Sequence, residues 1–322
     1  MALRAVVWAI NTCDPGQHET ASMHAMTDIK PNPEEPSSRM AELQGAGHGD
    51  MHDYVVGSPH LRHAALFGRV DRAISEAIKT IVSLKGNCDV LEIGAGHGTF
   101  TDSALVSGVR VTVTEMSRTS AEYLQRKFAN NSSVVILYDK DGEEAFRLQR
   151  QYDVILFISV LHHIPDYLGL VDRMIDELIR PSGVIVAYQD PLWYPRQSRT
   201  ARVVSQASYF AWRITQGDWK RGLETRVRRL RGRIDDGNVS DMVEYHVVRR
   251  GVDDQALKTM LVSNFDAVEI DAYWSTQSPA LQALGAGRFP PNTFGIVAVG
   301  RRPDISKLKA PPLEQERSTD HS

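Results

Sequence analysis

The chain has 322 residues, of which 42% are hydrophobic and 24% charged, a composition typical of a globular protein. Its formal net charge of −3 gives no overall attraction to nucleic acid or to anionic membranes. The two cysteines, Cys13 and Cys88, lie far apart without metal-ligand spacing, so no disulfide framework is predicted. No run of about 18 apolar residues predicts a membrane span, and the apolar run at residues 5–10 is too short for a signal peptide. We therefore expect a cytoplasmic protein.

The N-terminal part of the chain divides near residue 54. Residues 1–50 are largely polar and contain several prolines, which predicts a disordered segment whose histidines have no frame to hold a metal. An ordered domain is predicted over residues 54–300. It begins with an amphipathic helix, because apolar residues recur at three- and four-residue spacing from Leu66 to Ile81.

Strand and helix patterns alternate after this first helix. Five strands are predicted in the first half of the domain, at residues 89–93, 110–115, 133–138, 152–158 and 183–188. Of the helices between them, one follows the capping residue Ser117, and another opens at Pro165, carries its apolar stripe through Ile179 and stops at Pro181. Such alternation indicates right-handed βαβ units and a parallel sheet. The remaining predicted elements are a helix near residues 254–261 and strands at residues 265–273 and 293–299.

Residues 191–240 break the alternation by combining aromatic side chains with a cluster of arginines. We interpret them as a helical insertion after the fifth strand. The aromatics, among them Trp193 and Trp212, are expected to wall an apolar pocket, and the arginines to form a solvated basic face. Residues 301–322 are predicted to form a flexible tail.

A glycine-rich loop joins the first predicted strand to the following helix. Residues 92–98 read Glu-Ile-Gly-Ala-Gly-His-Gly, and such glycines allow backbone N–H groups to approach a ligand closely. The dinucleotide fingerprint requires glycines at its first, third and sixth positions, whereas Thr99 occupies the sixth position here. This departure disfavours NAD(P) and FAD. Glu115, about twenty residues past the loop, can accept hydrogen bonds from both hydroxyls of a ribose.

These features resemble the class I S-adenosylmethionine-dependent methyltransferases over residues 89–190. The glycine loop is similar to the first motif of that family, residues 113–116 to the second and Tyr138-Asp139 to the third. Residues 152–166 resemble the fourth-strand signature, and residues 178–183 resemble the turn into the fifth strand. Because these motifs follow one another in order at sensible spacing, the resemblance is specific.

The resemblance implies an α/β fold: a Rossmann-like, doubly wound, seven-stranded and mostly parallel sheet whose last strand is antiparallel, with S-adenosyl-L-methionine across its carboxyl edge. It also implies that Glu115 binds the ribose, that Met116 packs on adenine and that Asp139 binds the adenine amino group, with Asp141 as a rival. The predicted cofactor-binding residues are Glu92, Gly94, Ala95, Gly96, Gly98, Glu115, Met116, Asp139 and Ser159. The early helix either covers the cofactor, with residues 54–63 near the methionine end, or only packs against the sheet.

The predicted methyl transfer needs few catalytic groups from the protein. In methyl transfer the cofactor supplies the reactivity, and the protein supplies position, desolvation and, for a hydroxyl acceptor, a base. The candidate catalytic residues are His163, Asp190 and His246. Each has a structural alternative: a role of His163 in the fold or the cofactor site, a turn cap at Asp190, and a half-buried strand position for His246. No metal site is predicted, because the neighbouring histidines 162 and 163 point apart and no third ligand is evident.

These features together predict O-methylation of a hydroxylated small molecule such as a sugar, a polyketide or a lipid-linked glycan. A nucleic-acid or protein methyltransferase is an alternative suggested by the arginines, but residues 159–162 lack the Asp/Asn-Pro-Pro-aromatic run of amine-modifying enzymes. An NAD(P)-dependent oxidoreductase and a non-catalytic cofactor-binding protein are further alternatives. The aromatic and basic insertion also allows peripheral contact with a membrane.

Overall fold

A seven-stranded sheet organises the computed structural model, which describes residues 57–215 and 251–303. The strands are β1 Cys88–Ile93, β2 Val109–Glu115, β3 Val134–Tyr138, β4 Tyr152–Ile158, β5 Ile179–Pro191, β6 Phe265–Tyr273 and β7 Thr293–Arg301. Their order is β3-β2-β1-β4-β5-β7-β6, and β7 runs antiparallel to both of its neighbours. This confirms the predicted doubly wound sheet with an antiparallel last strand.

Helices lie between the strands in the order of the chain. They are α1 Pro59–Arg62, α2 Ala64–Lys85, α3 Thr99–Ala104, α4 Arg118–Lys127, α5 Glu144–Arg147, α6 Tyr167–Glu177, α7 Arg199–Thr215, α8 Asp254–Asn264 and α9 Pro279–Gly285. Short 3₁₀ turns occupy Leu161–His163 and Tyr194–Arg196. Across the described residues, no helix combines the length and the apolar character needed to cross a membrane.

The sheet is covered by a hydrophobic layer on each face. Alternate strand residues point to opposite faces, so Val90 packs in the layer of α2 while Leu91 packs in the layer of α6 and α8. The helix α2 buries an apolar stripe made of Leu66, Val70, Ile74, Ile78 and Ile81. Burial of each such side chain contributes about 2 kcal/mol. This burial fits the interpretation of the early helix as one that packs against the sheet.

Local capping signals in the sequence have the expected structural effect. Gly86 ends α2 in the left-handed conformation, with φ 78°. The side chain of Ser117 accepts a hydrogen bond from the backbone N–H of Ser120 at the start of α4. The helix α6 begins after Asp166, whose carboxylate caps it.

One predicted helix end is wrong. The apolar stripe predicted for α6 extends through Ile179, but the helix ends at Glu177 and Ile179 is the first residue of β5, where it pairs with Tyr152. A buried strand and a buried helix both require apolar residues, so periodicity does not separate them at such a junction. The strand β5 is consequently longer than predicted and runs on to Pro191.

The chain leaves the sheet after β5 and returns at the same point. Leu192 forms a parallel bridge with Val252, and the N–H of Val252 donates to the carbonyl of Pro191 over 2.9 Å. Arg196 adds ion pairs to Asp253 beside this bridge. Leu192, near the predicted start of the insertion, and Val252, beyond its predicted end, therefore meet at the carboxyl end of β5. Residues 216–240 of the insertion, the predicted disordered segment 1–50 and most of the predicted tail 301–322 lie outside the described residues.

A cluster of ion pairs closes the opposite, amino edge of the sheet. Asp153, at the start of β4, accepts hydrogen bonds from Lys85 Nζ at 2.5 Å and from Arg180 at 2.8 Å. Asp89, on β1, accepts from Arg110 Nε at 2.8 Å and from the same Arg180 at 3.0 Å. Because the side chain of Asp153 is only 1% exposed, these cations replace the water that the carboxylate loses on burial.

Candidate active site at the carboxyl edge of the sheet

The glycine loop adopts a conformation that requires its glycines. Gly94, Gly96 and Gly98 all lie in the left-handed region, with φ of 65°, 56° and 70°. A Cβ atom on Gly94 would lie 2.7 Å from Cγ2 of Val160, which follows the neighbouring strand β4. Val160 therefore leaves no room for a side chain at position 94, and a ligand at the edge of the sheet can approach the backbone there.

Lys127 fixes the far side of this loop. Its ammonium group donates to the carbonyls of His97 and Gly98, each at 3.0 Å, and pairs with Asp102 at 2.6 Å. A Cβ atom on Gly98 would meet the side chain of Leu124 at 2.7 Å, so α4 packs closely against the loop. The loop is thus held in one conformation before any ligand binds.

Glu115 connects the end of β2 to the glycine loop. One oxygen accepts from the N–H of Gly96 and the other from the N–H of Ser117, both at 2.8 Å. Burial raises the pKa of Glu115 to about 7, although these backbone hydrogen bonds act to lower it. Each carboxylate oxygen keeps a second lone pair, which suits it to accept a ribose hydroxyl.

Asp139, directly after β3, is another acidic residue along this edge of the sheet. Its Oδ1 accepts from the backbone N–H groups of Gly142, Glu143 and Glu144 at 2.7–3.3 Å, and burial raises its pKa. Its rival Asp141 instead pairs with Arg147 at 2.6 Å. Oδ1 thus organises the turn, and Oδ2 of Asp139 is the more available acceptor for an adenine amino group.

Glu92 lies behind the glycine loop. Its carboxylate is 2% exposed and accepts a hydrogen bond from the hydroxyl of Thr101 at 2.5 Å. Burial raises the pKa of Glu92 to about 7, and the hydrogen bond from Thr101 acts in the opposite direction. This side chain therefore ties β1 to α3, which carries the C-terminal end of the loop.

The other predicted cofactor residues occupy the same edge. Ala95 and Met116 are half-buried beside Gly94 and Glu115. Ser159 follows β4 with φ 59°, and its N–H donates to the carbonyl of Tyr188 on β5 over 2.8 Å. A non-glycine residue in the left-handed region is uncommon and is often found at a functional turn.

A buried histidine–carboxylate pair lies at the ends of β4 and β5. Nδ1 of His162 is 2.7 Å from Oδ1 of Asp190, and the backbone N–H of His162 donates to the same oxygen at 3.1 Å. The second carboxylate oxygen, Oδ2, is buried and has no hydrogen-bond partner among the described residues. The sequence pointed to Asp190 and to His163. The structure pairs Asp190 with His162 and places the His163 ring 4.1 Å from the His162 ring.

His60 is a further residue near this site, and it belongs to the stretch 54–63 that the resemblance places near the methionine end of the cofactor. Its ring is 5% exposed and stacks on Phe100, with the ring centroids 5.7 Å apart. Burial is the main cause that lowers the pKa of His60 to about 3, and the neighbouring imidazole of His162 acts in the same direction. No motif marks this histidine, because only the packing of α1 against α3 brings it to the edge of the sheet. The third predicted catalytic residue, His246, and Tyr54 lie outside the described residues.

A known protein family matches the part of the chain that contains this loop. A family model described as a methyltransferase domain matches residues 61–222, half of the chain. The chain therefore belongs to the methyltransferase domain family, and its class is that of the S-adenosylmethionine-dependent methyltransferases of class I. Its cofactor is accordingly S-adenosylmethionine, as the motifs predict.

Similar proteins match parts of the chain. A ubiquinone biosynthesis O-methyltransferase from Erwinia tasmaniensis is 35% identical over 100 residues, covering 30% of this chain and 40% of that protein. The highly reducing polyketide synthase stpks1 of Strobilurus tenacellus is 31% identical over 160 residues, covering 44% of this chain and 6% of the synthase. The chain thus spans about two fifths of the O-methyltransferase and a small part of the synthase. Among solved structures, the N-methyltransferase NodS from Bradyrhizobium japonicum has a TM-score of 0.46 and 15% identity, covering 83% of this chain and all of NodS.

Proposed function

We propose that this protein transfers the methyl group of S-adenosylmethionine to a hydroxyl oxygen of a small molecule. The observation that carries the proposal is the hydrogen bond between His162 and Asp190 at the carboxyl edge of the sheet. A hydroxyl is a weak nucleophile and must lose its proton as it attacks, so its methylation needs a base. A carboxylate or thiolate acceptor has no such need.

The pair provides a base with a defined tautomer. A carboxylate only accepts hydrogen bonds, so Asp190 holds the proton of His162 on Nδ1 and leaves the lone pair on Nε2. His162 then takes the hydroxyl proton at Nε2 while the acceptor oxygen forms its bond to the methyl carbon. The positive charge that develops on the ring is stabilised by Asp190. S-adenosylmethionine, when bound, supplies the electrophilic methyl group.

The residues of the neighbouring strand ends fit the cofactor. The carboxylate of Glu115, held by the N–H of Gly96, presents a ribose acceptor, and Oδ2 of Asp139 presents an adenine acceptor, while the glycine loop lets the cofactor approach the backbone closely. In this proposal Glu92 acts through the loop that it supports, and Ser159 and Met116 border the nucleoside. Asp190 and His162 then face the side where β5 ends and the insertion begins.

A small, hydroxylated acceptor is supported by two further observations. Leu192, near the predicted start of the insertion, is held by its bridge to Val252, so the insertion begins beside Asp190. The names of the O-methyltransferase relatives agree with oxygen as the acceptor atom. A sugar, a polyketide or a lipid-linked glycan satisfies these requirements, and peripheral contact with a membrane is compatible with the last of these.

The test is a methyl-transfer assay with labelled S-adenosylmethionine and acceptor panels that present hydroxyl, amine, carboxylate or activated-carbon groups. The position of the new methyl group in each product is read by NMR. Methylation of hydroxyl acceptors in preference to the other panels is expected. Transfer to amines or to carbon alone overturns the choice of oxygen, and NADH binding without binding of S-adenosyl compounds overturns the cofactor assignment as well.

A further inference from the structure

We propose that Gln189 is a positioning residue for the catalytic pair. It is the extra residue of a β-bulge in β5, and this bulge turns the side chain of Asp190 to the face of the sheet on which His162 lies. The inference rests on the proposed function, because it concerns how the same His162–Asp190 pair is assembled.

The register between β5 and β7 shows the bulge. Tyr188 lies opposite Gly295, and the next paired residues are Asp190 and Phe294. The chain therefore advances by two residues on β5 and by one residue on β7. Gln189 is the residue without a place in the ladder, and its φ of 68° lies in the left-handed region.

The bulge changes the face to which Asp190 points. Residues directly opposite each other in a sheet share a face, and positions i and i+2 of a regular strand do so as well. Tyr188 packs in the layer of α2, so in a regular strand Asp190 would point to that layer too. Because of the extra residue, Asp190 instead shares a face with Phe294, which belongs to the opposite layer.

The turn that carries His162 lies on that second face. Leu161, which precedes His162, is completely buried in the same layer as Phe294 and Ala187. The carboxylate of Asp190 thereby reaches both the backbone N–H and the ring of His162. Without the bulge the carboxylate and the imidazole would lie on opposite faces of the sheet.

Two buried hydrogen bonds hold Gln189 in its unusual conformation. Its amide donates from Nε2 to the hydroxyl of Ser275 over 2.7 Å, and its Oε1 accepts from the hydroxyl of Tyr273 at 3.1 Å. Both partners lie at the end of β6 or directly after it. In the observed left-handed form both ends of the side-chain amide are hydrogen-bonded, which offsets the unfavourable dihedral angle.

Backbone variants at this position test the proposal. Gln189→Gly tolerates the left-handed form, whereas Gln189→Val disfavours it, and deletion of Gln189 removes the extra residue. The readout is the ¹H–¹⁵N NMR pattern of the His162 ring, assigned by comparison with His162→Gln, which reports the protonated nitrogen and the ring pKa. The assay uses the full chain with S-adenosylhomocysteine bound, and circular dichroism verifies folding.

We expect the glycine variant to keep the protonated Nδ1 of the wild type, and the valine and deletion variants to lose it. We also expect kcat of the valine variant to fall about tenfold or more below that of the glycine variant, with KM for the cofactor unchanged. If the valine variant keeps the wild-type ring pattern, or the glycine variant loses it as fully as the valine variant does, the positioning role is wrong. If the deletion variant does not fold, the spectra of the glycine and valine variants alone test the positioning role of Gln189.

The ring pattern also separates this inference from the proposed function. If Asp190→Asn abolishes the pattern but leaves methyl transfer intact, the base assignment fails while the role of the bulge is still decided by the glycine and valine spectra.

Discussion

His162 and Asp190 follow two adjacent parallel strands, and the imidazole Nδ1 of the first lies 2.7 Å from the carboxylate Oδ1 of the second. Their side chains are 8% and 1% exposed. A hydrogen bond between a ring nitrogen and a carboxylate is stronger when water is excluded, and it also fixes which nitrogen carries the proton. The carboxyl edge of the sheet therefore holds an imidazole of fixed orientation, the proposed base, next to the predicted cofactor site.

Removal of either member of this pair should slow methyl transfer without weakening cofactor binding. We expect His162→Gln and Asp190→Asn each to lower kcat by about 10²–10⁴-fold, the usual contribution of a general base. The dissociation constant of S-adenosylhomocysteine, measured by isothermal titration, should change by less than about threefold, because neither residue contacts the nucleoside in the proposed arrangement.

The variant His163→Gln separates the two neighbouring histidines. If this variant loses activity while His162→Gln retains it, the base is His163, one of the three candidates named from the sequence, and the pair with Asp190 is structural. Loss of S-adenosylhomocysteine binding in all three variants would instead assign the cluster to the cofactor site.

Cofactor affinity should depend on the ionisation of Glu115. Burial raises the pKa of this carboxyl to about 7 in the ligand-free protein. Ribose hydroxyls donate to the ionised form, so binding lowers the pKa and releases a proton. Affinity for S-adenosylhomocysteine should therefore rise with pH from 6 to 8, by up to about tenfold per unit below the ligand-free pKa.

The matched variant for this prediction is Glu115→Gln. It should bind S-adenosylhomocysteine more weakly, and the pH dependence that belongs to Glu115 should be absent from the difference between the two proteins. Calorimetry in buffers of different ionisation enthalpy gives the number of protons released. Equal proton release by wild type and variant contradicts a direct role of Glu115 in binding.

Local features of the site were predictable from sequence, and the assembly of distant residues was not. The glycine loop, Glu115 and Asp139 follow strands whose buried, β-branched residues mark their ends. Asp190 was recognised from its place after the fifth strand. Its partner was not identified, because the bulge at Gln189 reverses the alternation of faces and no pattern of residue types marks such a bulge. The stretch 54–63 was named as a whole, but the burial of His60 and its stacking on Phe100 were not predictable because they depend on the packing of two short helices.

The first glycine of the loop should be required for cofactor binding. In Gly94→Ala the new Cβ atom would lie 2.7 Å from Val160 and the residue would keep a φ of 65°, so the loop must move. We expect S-adenosylhomocysteine affinity to fall by at least about tenfold, since a displacement of about 1 Å moves the loop surface that the cofactor approaches and the Gly96 N–H that holds Glu115. The matched control is Gly86→Ala, with φ 78° and no atom within 4 Å of the new Cβ. It should lose about 1 kcal/mol of stability and no affinity.

The ion cluster at the amino edge should contribute to stability alone. Asp153→Ala removes the carboxylate that Lys85 contacts and one of the two that Arg180 contacts, so buried charge-assisted hydrogen bonds are lost and we expect the free energy of unfolding to fall by about 3 kcal/mol. The surface pair of Asp266 with Arg302 is half exposed, so Asp266→Ala should cost less than about 1 kcal/mol. Urea denaturation measures both values. Equal costs for the two variants, or reduced cofactor affinity of folded Asp153→Ala, would be contrary to this assignment.

His60 should make the fold sensitive to mild acid. Its pKa is lowered to about 3 in the folded protein by burial and by His162, whereas a histidine in the unfolded chain titrates near pH 6.5. Between these values the unfolded state binds a proton that the folded state does not, so stability is fully present above about pH 6.5 and is lost as pH falls toward the folded pKa. The loss approaches about 1.4 kcal/mol per pH unit within that window.

The variant His60→Phe keeps a ring to stack on Phe100 and removes the titration. Between pH 6 and pH 4 its free energy of unfolding should therefore fall less steeply than that of the wild type, by up to about 1.4 kcal/mol per pH unit. Other groups that titrate in this range, such as Glu92, are common to both proteins and cancel in the difference. Parallel curves of unfolding free energy against pH for the two proteins would show that the histidine gains its proton without penalty and is less buried in solution than in the structure.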